Sequence, residues 1–203
     1  MFITFEGPEG AGKSTAIATA AEQLRSEGRN VLTTREPGAG EFGERIRSIL
    51  LDGPDIDSKV ELLLFLADRA NHVQTVIKPA LANGIIVLCD RFTDSTVVYQ
   101  GHARGLDIEF IKGGNAFATE GLTPDLTILF DLDPEIGLSR LTSKDRLDAQ
   151  PLQFHQRVRA GFLKEAHLEP RRFITIDASR PREQVLEDVV RLMLSRLPAI
   201  SEA

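Results

Sequence analysis

The feature that most restricts the fold of this chain is a glycine-rich segment close to its N-terminus. Residues Gly7–Ser14 read G-P-E-G-A-G-K-S and follow the apolar run Phe2–Phe5. They match G-x-x-x-x-G-K-[ST] in full, the P-loop motif, in which backbone amides converge on phosphate oxygens at the start of a helix. Lys13 then supplies a charge for the β- and γ-phosphates, and Ser14 a hydroxyl for Mg²⁺. The motif predicts a nucleoside triphosphate site formed by Gly7, Pro8, Glu9, Gly10, Ala11, Gly12, Lys13, Ser14 and Thr15.

Short apolar runs alternate with helical patterns along the whole chain. The runs rich in Val, Ile, Leu and Phe are predicted to be strands: Phe2–Phe5, Asn30–Thr34, Ile85–Asp90, Leu126–Asp131 and Phe173–Asp177. The predicted helices cover residues 13–27, 41–51, 58–82, 93–120, 134–141, 151–168 and 182–197. This alternation indicates an α/β fold, a doubly wound parallel sheet of about five strands with helices on both faces. With the P-loop it predicts one P-loop NTPase domain over residues 1–203.

The composition restricts the classes of partner. The chain has 24 Lys and Arg against 30 Asp and Glu, a formal charge of −6, which argues against a nucleic acid polymer as partner. Apolar runs are strand-sized, well below the roughly 20 residues that span a bilayer, so no membrane is expected. The N-terminus has no basic segment typical of a signal peptide. A lone Cys89 fits a reducing compartment, and we expect a cytoplasmic protein.

The predicted helix 58–82 has a recognisable start and a core-facing stripe. Ser58 and Glu61 are spaced as a capping box, in which each side chain bonds the other's backbone amide. The stripe predicted to face the core comprises Leu63, Leu66, Ala70, Val73, Ile77 and Leu81. Phe65 and Arg69 fall on a different face, where they suit either the core or stacking and hydrogen bonding to a base.

Polar residues follow the third predicted strand, beside the expected P-loop. Asp90 at the strand end suits a carboxylate that anchors Mg²⁺ from outside its inner ring of ligands, and Arg91 can hold a phosphate. The alternative is that the two residues form an ion pair that closes the strand. If the next segment is helical, Thr96, Tyr99 and Gln100 share one face and offer two hydroxyls and an amide to a base or sugar.

Two further segments are candidates for the same edge of the sheet. Glu36-Pro37, beside two glycines, forms either a turn that lines a pocket or an ordinary loop. A basic cluster follows the fourth predicted strand and comprises Arg140, Lys144, Arg146, Arg157 and Arg159. It is either a solvated face or a flap that carries arginine over a transferring phosphoryl group.

Several nucleotide-handling classes lack their signatures in this chain. The guanine-reading N-K-x-D string and a D-x-x-G string after a strand are both absent, which argues against a switch GTPase. A small phosphotransferase fits the remaining length. Such a phosphotransferase could act on any of several nucleoside monophosphates or on a deoxynucleoside. A non-catalytic nucleotide-binding regulator is a further alternative.

Taken together, these motifs resemble the thymidylate kinase family over nearly the whole chain. Beyond the P-loop, the resemblance rests on the order of short segments: Thr34–Gly38, Leu64–Ala70, Asp90-Arg91, Tyr99–Gly101, Arg104–Leu106, Pro124–Thr127, Asp145-Arg146 and Phe154–Arg159. It implies a nucleoside monophosphate kinase-like fold and phosphorylation of dTMP to dTDP by ATP and Mg²⁺, within dTTP biosynthesis. It also implies a homodimer.

The resemblance assigns roles to individual residues. It implies that Phe65 stacks on thymine and that Arg69 and Thr96 bond the base edge. It implies that Tyr99 disfavours a ribose 2′-hydroxyl and that Glu9 approaches the sugar 3′-hydroxyl. The substrate-binding set is completed by Glu36, Pro37, Arg91 and Gln100, and the metal-binding pair is Ser14 and Asp90.

The P-loop has no arginine, so the chain resembles the bacterial subtype whose catalytic arginine comes from a lid. Arg146, in a short lid at about residues 141–152, joins Lys13 and Arg91 as the expected catalytic residues. The chain departs from the family pattern in having Phe92 for Tyr, Gly38-Ala-Gly40 for Gly-Gly-Thr, and a shorter, less basic lid.

Overall fold

The computed structural model describes residues 1–197, so the last six residues of the predicted domain lie outside the described part. All five predicted strands are confirmed: β1 (Phe2–Glu6), β2 (Val31–Arg35), β3 (Ile86–Asp90), β4 (Leu126–Asp131) and β5 (Phe173–Asp177). They form one sheet in the order β2-β3-β1-β4-β5, and every pair is parallel. Among residues 1–197, no helix is long and apolar enough to cross a membrane.

The helices fill the intervals between the strands, as a doubly wound fold requires. They are α1 (Lys13–Ser26), α2 (Gly40–Arg47), α3 (Ser58–His72), α4 (Lys78–Ala82), α5 (Thr93–Thr96), α6 (Ile108–Thr119), α7 (Pro134–Ser139), α8 (Leu152–Leu168) and α9 (Arg182–Arg196). Wide π turns extend three of them, at Ser48–Asp52, Val73–Ile77 and Val97–Ala103. The middle π turn joins α3 to α4 just before Pro79, whose missing N–H disturbs the regular ladder.

The prediction of a single helix over residues 93–120 is wrong. The chain leaves the helix after the π segment Val97–Ala103, because Gly105 adopts a positive φ of 80°. Asp107 then caps a new helix, α6, by accepting hydrogen bonds from the amides of Glu109 and Phe110.

Two predictions for α3 are also wrong. Asp57, not Ser58, caps the helix by accepting a bond from the Lys59 amide at 2.8 Å. Glu61 does not take the predicted capping role, because its fully buried carboxylate accepts hydrogen bonds from the side chains of Gln100 and Arg104. In the predicted stripe, Leu63 is 57% exposed and the neighbouring Leu62 is buried in its place.

Apolar side chains cover both faces of the sheet. On one face, Ile3 and Phe5 of β1 pack with α1 and α9. On the other, Phe2 packs with the π turn before α4, and Leu129 of β4 packs with α8. Since the strands are parallel and covered on both sides, their carboxyl ends meet at one open edge, where ligands collect in such folds.

Candidate active site

The P-loop lies between β1 and α1 and is shaped by glycines. Gly7, Gly10 and Gly12 have φ angles of 135°, 66° and 91°, which side chains rarely tolerate. A Cβ atom on Gly10 would lie 2.1 Å from the carbonyl oxygen of Gly137, in α7. A Cβ atom on Gly137 would likewise lie 2.2 Å from the carbonyl oxygen of Glu9. The P-loop and α7 therefore touch backbone to backbone.

Lys13 is turned into the P-loop and buried. Its Nζ donates to the carbonyl oxygens of Gly7 at 3.0 Å and Pro8 at 2.8 Å. Burial, followed by the charge of Arg91, lowers the pKa of Lys13 to about 8. The adjacent Ser14 donates its hydroxyl to Asp90 Oδ2 at 2.8 Å, so the two expected metal-binding residues meet across the strand ends.

A narrow cleft opens beside the P-loop at the carboxyl ends of β1, β2 and β3. All nine residues expected to bind the acceptor line this cleft: Glu9, Glu36, Pro37, Phe65, Arg69, Arg91, Thr96, Tyr99 and Gln100. They come from the P-loop, the turn after β2, α3, the end of β3 and the segment around α5. The Glu36-Pro37 peptide bond in this wall is cis.

Arg91 and Glu9 meet where the cleft reaches the P-loop. Arg91 donates to the Gly7 carbonyl oxygen and to Ser95 Oγ, both at 3.1 Å, and to Glu9 Oε1 at 3.0 Å. Tyr99 donates its hydroxyl to the same Glu9 oxygen. Burial alone would raise the pKa of Glu9, but Arg91 and weaker neighbours outweigh it and lower the pKa to about 2. Glu9 is thus an anion that stiffens the guanidinium of Arg91.

Arg69 forms the back wall of the cleft and is fully committed to protein partners. Its Nη1 donates to Thr96 Oγ1 at 2.8 Å and to Asn115 Oδ1 at 2.7 Å. Its Nε and Nη2 contact Glu36 Oε2 at 2.8 and 2.7 Å, and Nη2 also donates to the Phe92 carbonyl oxygen. The expected contact from Arg69 to a base edge is therefore not presented by this arrangement. Thr96 keeps its hydroxyl hydrogen for that role.

Arg146 does not lie at the P-loop, against the expectation for a lid arginine. Its Nε donates to the Leu50 carbonyl oxygen at 2.8 Å, and its Nη2 to Glu61 Oε2 at 2.5 Å. Glu61 is fully buried and also accepts from Arg104 at 2.7 and 2.9 Å and from Gln100 at 2.7 Å. This buried anion explains the position of Arg146, since a buried carboxylate needs charged partners.

The other cations of the predicted basic cluster point in different directions. Arg140 donates to the Gly10 carbonyl oxygen at 3.2 Å and so reaches the P-loop. Arg159 forms two bonds with Asp131, at 2.7 and 2.9 Å, and Arg157 donates to the Ala103 carbonyl oxygen at 3.0 Å. The cations of the predicted basic cluster therefore do not form one flap over the P-loop.

Several residues of the site were missed by sequence reasoning. Glu61 matched a capping motif, although its partners are distant in sequence. Glu6 is buried beneath the cleft, accepts from Ser95 Oγ at 2.6 Å, and has a pKa raised to about 7 by burial and then Asp94. His155, which no sequence motif assigned to the site, is 1% exposed and has Nδ1 3.4 Å from Glu9 Oε2.

A second cavity lies on the other side of the P-loop. Beside Gly10–Gly12 and Thr15, it is lined by Arg140, Arg180 and Arg182. Sequence reasoning had only weak signals for the last two arginines, which follow β5 in a short polar turn. The P-loop therefore stands between two cavities, an arrangement suited to moving a phosphoryl group between two bound molecules.

Comparison with known proteins agrees with this geometry. The family model for thymidylate kinase matches residues 5–189. The chain is 51% identical to the thymidylate kinase of Nitratidesulfovibrio vulgaris (strain DSM 19637 / Miyazaki F), over 98% of both chains. It is 50% identical to that of Synechococcus sp. (strain JA-2-3B'a(2-13)), over 98% of this chain and 96% of the relative.

A solved structure is similar as well. The crystal structure of thymidylate kinase from Ehrlichia chaffeensis superimposes with a TM-score of 0.79 at 37% identity, covering 95% of this chain and 98% of the other. The shared P-loop NTPase architecture, the family match over most of the chain and these relatives lead to one conclusion: the chain belongs to the thymidylate kinase family.

Proposed function

We propose that this protein transfers the γ-phosphoryl group of ATP to dTMP, giving dTDP for dTTP biosynthesis. The observation that carries the proposal is the cleft that ends at the P-loop and has among its lining residues all nine expected to bind the acceptor. The family membership supports the same reaction.

ATP is assigned to the P-loop and the cavity beyond it. The amides of Gly7–Thr15 and the N-terminus of α1 suit the phosphates, and Lys13 supplies the charge for the β- and γ-phosphates once it leaves its carbonyl partners. The cavity between Arg140 and Arg182 is the position for the rest of the donor nucleotide.

The residues at the phosphate end suit Mg²⁺. Ser14 Oγ and Asp90 Oδ2 are 2.8 Å apart, a hydroxyl ligand beside a carboxylate that can bind through water. Within residues 1–197, no group of three or more His, Cys, Asp or Glu residues could hold a metal, which fits an ion that keeps its waters and phosphate ligands. Bound there, Mg²⁺ would neutralise charge on the β- and γ-phosphates.

dTMP is assigned to the cleft. Phe65 provides a ring for the thymine, and the Thr96 hydroxyl a donor for its edge. Tyr99 crowds the sugar at the position of a 2′-hydroxyl, while Glu9 lies in reach of the 3′-hydroxyl. Arg91, already oriented by Glu9, suits the monophosphate because a guanidinium binds phosphate through two parallel hydrogen bonds.

In the reaction, a phosphate oxygen of dTMP attacks the γ-phosphorus in line. The bond from that phosphorus to the bridging oxygen of ADP breaks, and the electron pair leaves with ADP. The nucleophile is already anionic, so no general base is needed, and catalysis comes from positioning and charge neutralisation. Lys13 and Arg91 supply two of the charges.

The third charge is assigned to Arg146 of the lid, taken as residues 141–152 of a single domain. Since Glu61 and Leu50 now hold its guanidinium, Arg146 must exchange these partners for the transferring phosphoryl group when the lid closes. Arg140 is the cation to compare with Arg146, because Arg140 donates to the Gly10 carbonyl oxygen of the P-loop.

A substrate panel tests the proposal. ADP release from MgATP is measured with dTMP, dUMP, UMP, dCMP, AMP and thymidine. We expect turnover with dTMP and little with UMP or thymidine. Preference for another monophosphate, or for thymidine, would replace dTMP as the acceptor, and no ADP release with any compound would favour the nucleotide-binding regulator.

We also propose that the protein is a cytoplasmic homodimer. Helix α3 packs on α6, and both carry exposed apolar side chains: Leu63 at 57%, Phe110 at 60% and Phe117 at 88% exposure. Exposed apolar groups clustered on packed helices are typical of subunit contacts. Light scattering should give twice the chain mass. Phe117→Glu should halve it, and Leu168→Glu, at a position in α8 that is 57% exposed, should not.

A further inference from the structure

One buried group near the active site is not used by the proposed reaction. His155 of α8 is 1% exposed, and neither of its ring nitrogens has a well-formed hydrogen bond within the described chain. Glu9 Oε2, the carboxylate oxygen that faces it, has none either. Buried polar atoms are rarely left in this state, because each unpaired one costs free energy.

The two unpaired groups face each other. His155 Nδ1 lies 3.4 Å from Glu9 Oε2, an ion-pair distance. The other oxygen, Oε1, is taken by Arg91 and Tyr99. The Glu9 carboxylate is therefore held on one side by two donors of the cleft and on the other by a single imidazole from α8.

We propose that His155 is a positioning residue that, in its protonated form, fixes the Glu9 carboxylate for the sugar and phosphate of the acceptor nucleotide. The inference rests on the proposed function, because it assigns Glu9 to the dTMP side. An imidazolium binds Oε2 by charge, so Glu9 keeps its other oxygen on Arg91 and Tyr99. When the imidazole is neutral, Oε2 loses its only charged partner among the described residues and the arrangement loosens.

The surroundings of His155 set the pH at which this occurs. Burial lowers the pKa of His155, but the facing Glu9 carboxylate at an ion-pair distance, and then Asp148 of the lid, outweigh it and raise the pKa above its usual value. Arg91 and Tyr99 approach from the opposite side of Glu9, and the Phe154 ring lies edge-on at 5.5 Å. The raised pKa means that the imidazolium contact is complete below the usual histidine pKa and is lost as pH rises through the raised one.

Steady-state kinetics at saturating MgATP test the role. At pH 6, His155→Phe should raise the KM for dTMP about tenfold, the effect of one charge-assisted hydrogen bond, with kcat changed less than about threefold. His155→Gln keeps an N–H donor but not the charge, and should recover only part of the loss. The control is His102→Gln, because His102 pairs with Glu165 at 2.8 Å away from the P-loop and should behave as wild type.

The pH profile separates positioning from packing. The ratio of wild-type to His155→Gln kcat/KM for dTMP should fall as pH rises through the pKa of His155. The titrations of Lys13 and of the dTMP phosphate cancel in this ratio. A constant ratio, or an unchanged KM in His155→Phe, would overturn the proposal.

One further measurement does not depend on turnover, so it tests the contact even if the His155 variants do not fold or dTMP is not the acceptor. The His155 ring is titrated by NMR in the wild-type protein and in Glu9→Gln. We expect a lower His155 pKa in the variant, and equal values would refute the contact. Inactivity of wild type towards dTMP would instead contradict the proposed function while leaving this titration interpretable.

Discussion

The two ends of the active site are built in opposite ways. The donor end is one run of nine consecutive residues, Gly7–Thr15, whose chemistry is mostly backbone. The acceptor end draws nine side chains from five separate segments. These side chains are held by buried ion pairs such as Arg69–Glu36, in which both members are at most 2% exposed. We infer that removing the charge of the Lys13 side chain at the donor end affects activity alone, whereas removing a buried charged partner at the acceptor end also affects the stability of the fold.

The largest expected effect is on catalysis, at the lid. Arg146→Ala should lower kcat about 10³-fold, the typical value of an arginine that stabilises a transferring phosphoryl group. The KM for dTMP should change less than about threefold. Lys144→Ala, in the same segment and exposed, is the control and should retain wild-type turnover. Equal turnover in Arg146→Ala would remove Arg146 from the reaction and direct the search to Arg140.

The next largest effect is on stability, at the acceptor end. Glu36→Gln leaves Arg69 buried without a counter-charge, and should lower the free energy of unfolding by about 3 kcal/mol. Glu41→Gln is the matched control, because Glu41 pairs with Arg45 at the surface and such pairs contribute about 0.5 kcal/mol or less. Urea denaturation measures both. A similar loss of unfolding free energy in the two variants would refute the link between the buried ion pairs of the acceptor end and stability.

The matching change at the donor end should leave the fold intact. Lys13→Met should lower kcat about 10²-fold, because one charge on the transferring phosphates is lost. Its free energy of unfolding should equal or exceed that of wild type, since the native Lys13 amine is buried at a cost that its lowered pKa reports. A destabilised Lys13→Met variant would contradict the proposed difference between the two ends.

The smallest effect concerns pH. Since the pKa of Lys13 is about 8 in the free protein, the lysine loses its charge above that pH. The kcat/KM for ATP should therefore fall about fivefold between pH 8 and pH 9. Lys13→Arg keeps its charge at all these pH values. Its lower activity should show no such fall, and a parallel decline in both proteins would assign the titration to another group.

Much of the fold could be predicted because its signals are local. Apolar runs identify all five strands, and the P-loop identifies the first strand–helix junction. The break between α5 and α6 was not predicted, because Gly105 alone does not distinguish a chain reversal from a tolerated glycine. Leu63 was placed in the core because periodicity does not show which of two adjacent leucines faces inward.

The site shows the same limit more sharply. The acceptor residues could be identified by the resemblance, but their bonding could not. Glu61 satisfied a local capping pattern, and three side-chain donors from distant segments decided its true environment. Phe92, where the family has Tyr, needs no hydroxyl here, since its ring is buried 4.9 Å from the Phe2 ring. Only the folded chain brings His155 to Glu9.

The contact between Gly10 and Gly137 has a mechanical consequence. Two backbones that meet without side chains leave no soft layer to absorb displacement, so α7 cannot press towards the P-loop without pushing it. Because α7 (Pro134–Ser139) is followed closely by the proposed lid segment 141–152, a lid movement that displaces α7 would reach the P-loop through this contact. Such a movement would shift the backbone of the P-loop as a rigid unit and would not change its side-chain packing.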